Sequence, residues 1–144
     1  MKTSKSKLQN PKQITNPKSQ YEGLQDNIQE LKLPKIEVAE NLYSDRDYSI
    51  HIEFPEFTCV CPKTGLPDFA NIIIDYVPNN KIVELKSLKL YFISYRNLGI
   101  FHENVVNKIL DDLVTVCKPR SAKIAGEFNV RGGIKTTVSA EYSS

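Results

Sequence analysis

The chain has 144 residues, of which 40% are hydrophobic and 25% are charged, and its formal net charge is +2. This length and composition favour one globular domain over two. A charge so near to balance does not by itself indicate a nucleic-acid partner, because such binding needs a clustered basic face.

The cysteines and the apolar segments indicate in which cellular compartment the protein is expected. Cys59, Cys61 and Cys117 are an odd number of thiols and do not suggest a disulfide framework. No N-terminal stretch resembles a signal peptide, and no apolar run approaches the ~20 residues that are needed to cross a bilayer. We therefore expect a cytoplasmic protein with no membrane partner.

The N-terminal part, to about Lys35, is rich in Lys, Ser, Gln, Asn and Pro and poor in large apolar side chains. Such a composition does not offset the entropy of ordering the chain. We expect a flexible extension over residues 1–40 and a single folded domain over residues 41–144. The lysines of the extension could contact a polyanion, but a solvated tail or an arm on a neighbouring subunit is the favoured interpretation.

Two strands are predicted at the start of the folded part, near Tyr48. Residues 49–54 alternate polar and apolar side chains, which is typical of a half-buried strand, and Pro55 is expected to end it. A second strand is predicted over residues 69–77, where β-branched and aromatic residues precede a Pro-Asn-Asn turn. The two strands are expected to pair antiparallel.

Two helices are predicted next. The segment from Leu85 to Tyr95 places apolar side chains at spacings of three and four, which favours a helix. The segment from Glu103 to Cys117 carries one apolar stripe, and Pro119 is expected to stop this second helix.

A final hairpin is predicted after the helices. Residues 122–130 and 134–142 alternate like strands, and Gly132-Gly133 between them has the composition of a hairpin turn. The order strand, strand, helix, helix, strand, strand predicts an α+β fold with a four-stranded antiparallel sheet and two helices on one face. The exposed edges of such a sheet predict a homo-oligomer.

The segment that joins the first two predicted strands holds two cysteines, a lysine and a carboxylate between prolines. A thiol is a good nucleophile only as the thiolate, and Lys63 or a positive dipole would favour that form of Cys61. Asp68 is close enough in sequence to exchange a proton with an adduct on this sulfur. Two alternatives remain open. One is a buried cysteine that packs as a small hydrophobic residue, which we favour for Cys59, and the other is a zinc site that includes His102.

Three strings of the chain together resemble those of an enzyme family. They are Cys61-Pro62-Lys63-Thr64-Gly65 followed by Asp68, then Glu84-Leu85-Lys86-Ser87-Leu88-Lys89-Leu90-Tyr91, and then Phe101-His102-Glu103. In this order they resemble the QueF nitrile reductases in their short, single-domain form, over roughly residues 49–140. The resemblance implies the tunnelling fold, in which subunits with this element order assemble into a barrel with active sites between neighbours.

The resemblance implies reduction of 7-cyano-7-deazaguanine to 7-aminomethyl-7-deazaguanine by two NADPH, a step in making the queuosine of tRNA. The substrate is a free base, so no direct contact with nucleic acid is expected. Cys61 would add to the nitrile carbon to form a thioimide, and Asp68 would protonate the nitrogen.

The resemblance also implies binding residues, with no metal. The substrate-binding positions are expected to be Val83, Glu84, Leu85, His102 and Glu103. The cofactor-binding positions are expected to be Leu85, Lys86, Arg131 and Gly132. From the residues alone, Lys86 is equally the charged face of a helix, and Arg131 and Gly132 are equally a hairpin turn. No Gly-X-Gly-X-X-Gly string follows a strand, so a cofactor site at a subunit interface is expected.

Three other functions fit parts of the pattern. A zinc-dependent cyclohydrolase of the same fold also holds a purine edge with a glutamate. A QueF-like amidinotransferase keeps Cys61 and Asp68 but is expected to lack the string from Glu84 to Tyr91. A non-catalytic protein that binds a deazapurine or RNA would use the N-terminal lysines as an electrostatic arm.

Overall fold

Residues 32–144 are described by a computed structural model of the chain. Their elements are, in chain order, β1 (Val38–Glu40), β2 (Ile50–Val60), β3 (Pro67–Val77), β4 (Lys81–Val83), α1 (Leu85–Ile93), α2 (His102–Cys117), β5 (Ser121–Phe128) and β6 (Thr137–Ser143). None of the helices in this part of the chain is both long enough and apolar enough to span a membrane.

The larger sheet has four antiparallel strands in the order β2-β3-β5-β6. In β3 every second side chain points into the core, where Ile72, Ile74 and Tyr76 are at most 2% exposed. Helix α1 packs on this face through Phe92, whose ring centroid lies 4.9 Å from that of Phe54 in β2. Helix α2 packs on the same face along β5 and β6. The predicted α+β fold, with two helices on one face of a four-stranded antiparallel sheet, is confirmed.

Strand β2 continues beyond Pro55, where the sequence pattern predicted its end. Its register with β3 shifts between Phe54 and Phe57, which marks a β-bulge. Proline is tolerated at this point because β2 is an edge strand of the described sheet, and bulges interrupt the regular ladder. The bulge keeps Phe57 and Cys59 on the core face, where both are fully buried. The predicted connection is therefore mostly strand, and only residues 61–66 lie between β2 and β3.

A second, two-stranded sheet pairs β1 with β4, and neither strand was predicted. Each is three residues long, which is too short to show a period of alternation. Ile36, just before β1, is 2% exposed and belongs to the core, so the folded part begins before Tyr48. Strand β1 falls inside the predicted extension of residues 1–40, and residues 1–31 lie outside the described part of the chain. That residues 41–144 form a single domain stays a prediction.

Both predicted helices are confirmed, with shifted ends. Helix α1 ends at Ile93 rather than at Tyr95, and α2 begins at His102. After α2, Lys118 has the left-handed φ of 46°, and its N–H donates to the carbonyl of Val114. This conformation ends the helix before the following proline.

Candidate active site

A tight turn at one end of the larger sheet presents Cys61. The N–H of Cys61 donates to the carbonyl of Leu66, and its carbonyl accepts from the N–H of Gly65, both at 2.8 Å. Gly65 has φ 74°, a conformation that residues with a side chain rarely adopt. Because both backbone groups of Cys61 are bonded within the turn, its position is fixed, and the residue remains partly exposed.

The preceding residue, Val60, connects this turn to the start of helix α2. The N–H of Val60 donates to the carbonyl of Leu98, and the carbonyl of Val60 accepts from the N–H of Ile100, each at 3.0 Å. These bonds form an isolated parallel bridge to the segment before α2. They bring the first two residues of α2, His102 and Glu103, beside the turn.

Asp68 is the first core-facing residue of β3 and is only 6% exposed. Its Oδ2 lies 3.1 Å from His102 Nε2, and its Oδ1 lies 3.2 Å from Arg131 Nε. The His102 ring stacks on Phe128, with centroids 3.7 Å apart and planes within 6° of parallel. A buried carboxylate needs charged or hydrogen-bonding neighbours to replace its lost water, and these two side chains do so.

Arg131 extends to Asp68 from the turn between β5 and β6. The N–H groups of Arg131 and Ile134 each donate to the other residue's carbonyl, at 2.9 and 3.0 Å. Between them, Gly132 and Gly133 have φ of 59° and 80°. Two consecutive positive φ values are the mark of a type I′ hairpin turn, which favours glycine. The predicted turn is confirmed, and it fixes the backbone that carries the Arg131 side chain.

These side chains surround a cavity of about 170 Å³. The predicted site residues in its wall are Cys61, Asp68, His102, Glu103 and Arg131. Small-molecule sites usually have a volume of ~300–1,000 Å³, so this cavity is too small for a substrate together with a cofactor.

Cys59 is two residues from Cys61 but has a different environment. It is fully buried and lies opposite Asp68 in the register of β2 and β3. Burial raises the pKa of the Cys59 thiol to about 12, and the negative charge of Asp68 acts in the same direction. Burial also raises the pKa of the Cys117 thiol, to about 11. The interpretation of Cys59 as a small core residue is confirmed, and Cys61 is the accessible thiol.

Five predicted site residues are not part of the cavity wall. They are Gly132, which follows Arg131 in the hairpin turn, and Val83, Glu84, Leu85 and Lys86. The N–H of Val83 donates to the hydroxyl of Tyr76 at 3.0 Å. Tyr76 lies eight positions along β3 from Asp68, a separation of roughly 25 Å at the usual rise per strand residue. The two groups of predicted residues therefore occupy opposite ends of the sheet.

Glu84 is the N-cap of helix α1. Its carboxylate accepts hydrogen bonds from the N–H groups of Ser87 and Lys86, at 2.8 and 2.9 Å. These bonds, the one from Ser87 first, lower the pKa of Glu84, so its partly exposed carboxylate is ionised at neutral pH. Because the cap occupies both N–H groups, a phosphate at this helix start would meet the Lys86 side chain rather than free backbone donors.

The residues expected to contact NADPH are divided between the two ends of the sheet. Arg131 lies at the cavity with its side chain 42% exposed, and a Cβ on Gly132 would meet no atom within 4 Å, which leaves room for a close approach. Leu85 and Lys86 lie at the other end. Across residues 32–144, no three His, Cys, Asp or Glu side chains are grouped so as to hold a metal ion.

The sequence did not indicate several residues of the cavity wall, nor the aromatic ring that supports His102. The missed residues are Pro62, Ile100, Phe101 and Phe128. Phe101 belongs to a string that carried the resemblance, so its place beside His102 could have been expected. The inward direction of Phe128 follows from strand alternation, but its stacking on His102 depends on tertiary packing and leaves no signal in the sequence.

Comparison with a solved structure defines the class of protein. A crystal structure described as the archaeosine synthase QueF-Like in the apo form matches with a TM-score of 0.63 and covers 67% of this chain and 94% of its own, at 21% identity. At this identity the likeness shows the fold alone. The chain is therefore an α+β protein of the tunnelling fold, with a thiol and a buried carboxylate at one end of its sheet.

Sequence comparisons identify the family. A model of the QueF-like protein family matches residues 67–144. Relatives named NADPH-dependent 7-cyano-7-deazaguanine reductase include one from Nitrosococcus oceani, 61% identical over 75% of this chain and 84% of its own length. Another, from Chlorobaculum tepidum, is 59% identical over 75% of this chain and 92% of its own length. A third, from Chloroherpeton thalassium, is 58% identical over 79% of this chain and 98% of its own. The chain belongs to the QueF family.

Proposed function

We propose that the chain is an NADPH-dependent 7-cyano-7-deazaguanine reductase, which converts the nitrile to the aminomethyl group in the cytoplasmic synthesis of queuosine. The observation that carries this proposal is the single cavity that holds Cys61, Asp68, His102 and Glu103, in a chain whose relatives bear that name. The substrate is a free base, so the protein needs no contact with RNA.

Cys61 begins the reaction. Its sulfur adds to the nitrile carbon, one π bond of the triple bond breaks, and the thiol proton reaches the nitrogen, which gives a thioimide without gain or loss of electrons. Asp68 moves this proton, because it is the buried carboxylate in the wall of the same cavity. A covalent intermediate divides a difficult four-electron reduction into easier steps.

Glu103 and His102 orient the deazaguanine ring. A carboxylate accepts two hydrogen bonds from the adjacent N–H donors of a guanine-like edge, and Glu103 lies at the exposed rim of the cavity. His102 is less free to act on the substrate, because it bonds to Asp68 and stacks on Phe128. We therefore assign the ring contact to Glu103 first.

NADPH supplies hydride when it is bound. Arg131 and Gly132 would hold it on the cavity side, and Leu85 and Lys86 of a neighbouring copy would hold it on the other side. Val83 and Glu84 of that neighbour would complete the substrate pocket. The proposed active site therefore lies between two subunits of a homo-oligomer.

Exposed apolar side chains at both ends of the sheet support this assembly. Leu66, Phe69, Val130 and Ile134 lie near the cavity and are 48% to 69% exposed. At the other end, Leu42, Tyr43 and Leu85 are 58% to 80% exposed. Joining one end to the other end of the next copy is a head-to-tail contact, which closes into a ring when the rotation permits.

Purified protein with 7-cyano-7-deazaguanine and NADPH tests the function. The expected result is oxidation of two NADPH for each aminomethyl product formed. Asp68→Asn should lower kcat by roughly a hundredfold or more, the usual contribution of general acid–base catalysis. Cys61→Ala should be inactive, whereas Cys117→Ser, which keeps a donor for its contact with the Lys81 carbonyl, should retain activity. Absence of NADPH oxidation by the wild-type protein would refute the reductase assignment.

A further inference from the structure

Arg131 is bonded to the proposed proton-transfer group. Its Nε lies 3.2 Å from Asp68 Oδ1, and its terminal NH2 group donates to the backbone carbonyl of Pro67, the residue before Asp68. The guanidinium thus bonds the carboxylate and the adjacent backbone at once. A planar group with several donors can make both bonds, whereas an ammonium is a point charge without this fork geometry.

The opposite side of Asp68 is also occupied. His102 Nε2 is 3.1 Å from Oδ2, and the stacking of His102 on Phe128 fixes the plane of the imidazole. Each carboxylate oxygen therefore has a nitrogen partner. Both partners are held by rigid features, the two-glycine turn behind Arg131 and the aromatic stack behind His102.

We propose that Arg131 is a positioning residue for Asp68, which it aims at Cys61 and the nitrile before NADPH takes part. This role rests on the proposed function. It implies an order of events: Asp68 accepts the proton of the Cys61 thiol as the sulfur bonds to carbon, and then gives that proton to the nitrile nitrogen. The carboxylate is unchanged at the end, and no electrons are gained or lost.

The charged and titratable groups around Asp68 are consistent with this order. The groups that face it are Cys59 across the strand pair, Cys61 and Glu103 in the cavity wall, His102 from α2 and Arg131 from the hairpin. Arg131 is the permanent cation of this set, since a guanidinium is not deprotonated in proteins. Losing it would leave a buried carboxylate beside the Glu103 carboxylate, with the imidazole as its one remaining side-chain partner among residues 32–144.

The rate of thioimide formation without NADPH tests this role, because a residue that only binds the cofactor cannot affect it. Formation of the adduct is followed by intact-protein mass spectrometry after rapid mixing with saturating 7-cyano-7-deazaguanine. Arg131→Met should slow it by roughly tenfold to a hundredfold, the effect of losing a hydrogen bond between charged groups. Arg131→Lys keeps the charge but lacks the planar fork that bonds Asp68 and Pro67 in a fixed geometry, so its rate should fall between those of Arg131→Met and the wild type.

The matched control is Lys135→Met, which removes a cation from the same connection between β5 and β6. Lys135 Nζ lies 3.5 Å from the Phe128 carbonyl, and its loss should leave the rate of adduct formation within about twofold of wild type. Thermal unfolding shows whether each variant is folded. If Arg131→Met does not fold, the comparison of Arg131→Lys with the wild type tests the role. The positioning role of Arg131 would be contradicted if both Arg131 variants formed the adduct at the wild-type rate and only their KM for NADPH were raised. Absence of any adduct in the wild-type protein would refute the proposed function and this role with it.

Discussion

Two thiols separated by one residue differ because the strand ends between them. Cys59 is the last core-facing residue of β2, and Cys61 lies in the turn beyond it. Burial and the nearby Asp68 charge raise the pKa of Cys59 to about 12. A thiol with a raised pKa stays protonated, and therefore unreactive, until the pH approaches that value.

This difference predicts selective alkylation. Iodoacetamide at pH 8 should modify Cys61 in the native protein and leave Cys59 and Cys117 unmodified, since burial raises both of their pKa values and also blocks access. Peptide mass spectrometry locates the label, and a denatured sample, in which all three thiols should react, is the control. Labelling of native Cys59 as fast as Cys61 would contradict the assigned burial.

At the scale of elements, the regular parts of the fold were predictable and the irregular ones were not. Alternation marked the antiparallel strands, and the Gly132-Gly133 pair marked the hairpin turn. The bulge after Phe54 was hidden because proline normally ends a strand, and only its edge position makes Pro55 acceptable. Strands β1 and β4 are too short to have a period.

The candidate site was predictable from the sequence only where its residues belong to short continuous motifs. The strings containing Cys61, Asp68 and His102 were visible along the chain. The bonds from Arg131 and His102 to Asp68, and the stacking on Phe128, join segments far apart in sequence. Such contacts depend on how the sheet and α2 pack, so no local pattern reports them.

Packing between α2 and the sheet predicts unequal effects of alanine at two glycines. A Cβ on Gly126 would lie 2.9 Å from both Phe128 Cε1 and Val106 Cγ2, so Gly126→Ala should destabilise by about 1–3 kcal/mol through overpacking. Gly132 has open space around it but φ of 59°, so Gly132→Ala should cost about 1 kcal/mol from the backbone alone. Denaturant unfolding measures both.

A second substitution separates the two causes. Val106→Ala removes the methyl group that would lie too close to the new Cβ of Gly126→Ala. The loss of unfolding free energy in the double variant should therefore be smaller than the sum of the losses in the two single variants. The same substitution combined with Gly132→Ala should give additive effects. Additivity in both pairs would mean that contact with Val106 does not explain the Gly126 effect.

At the scale of the whole molecule, the proposed site needs two chains. Cys61, Asp68 and Glu103 lie at one end of the sheet, whereas Val83 and Glu84 lie beyond its other end. In this proposal, a cavity of about 170 Å³ leaves the substrate and nucleotide partly uncovered until another subunit closes the site. Assembly and catalysis are therefore coupled in this proposal.

Complementation between inactive variants tests the shared site. Cys61→Ala and Glu84→Gln should each be nearly inactive alone, but coexpressed they should regain activity at about a quarter of the sites, those that combine two intact halves. Cys61→Ala coexpressed with Asp68→Asn is the control, because both residues belong to the same half and no intact half can form. Recovery in the control pair, or none in the first pair once mixed oligomers are shown by mass spectrometry, would contradict the shared site.

Intact-protein mass spectrometry of the wild-type chain, incubated with 7-cyano-7-deazaguanine and no NADPH, decides whether Cys61 forms the covalent intermediate. We predict a gain equal to one substrate mass per chain, located at Cys61, absent in Cys61→Ala and removed when NADPH is added. An unchanged mass, or a substrate adduct on a different residue, would contradict the proposed chemistry.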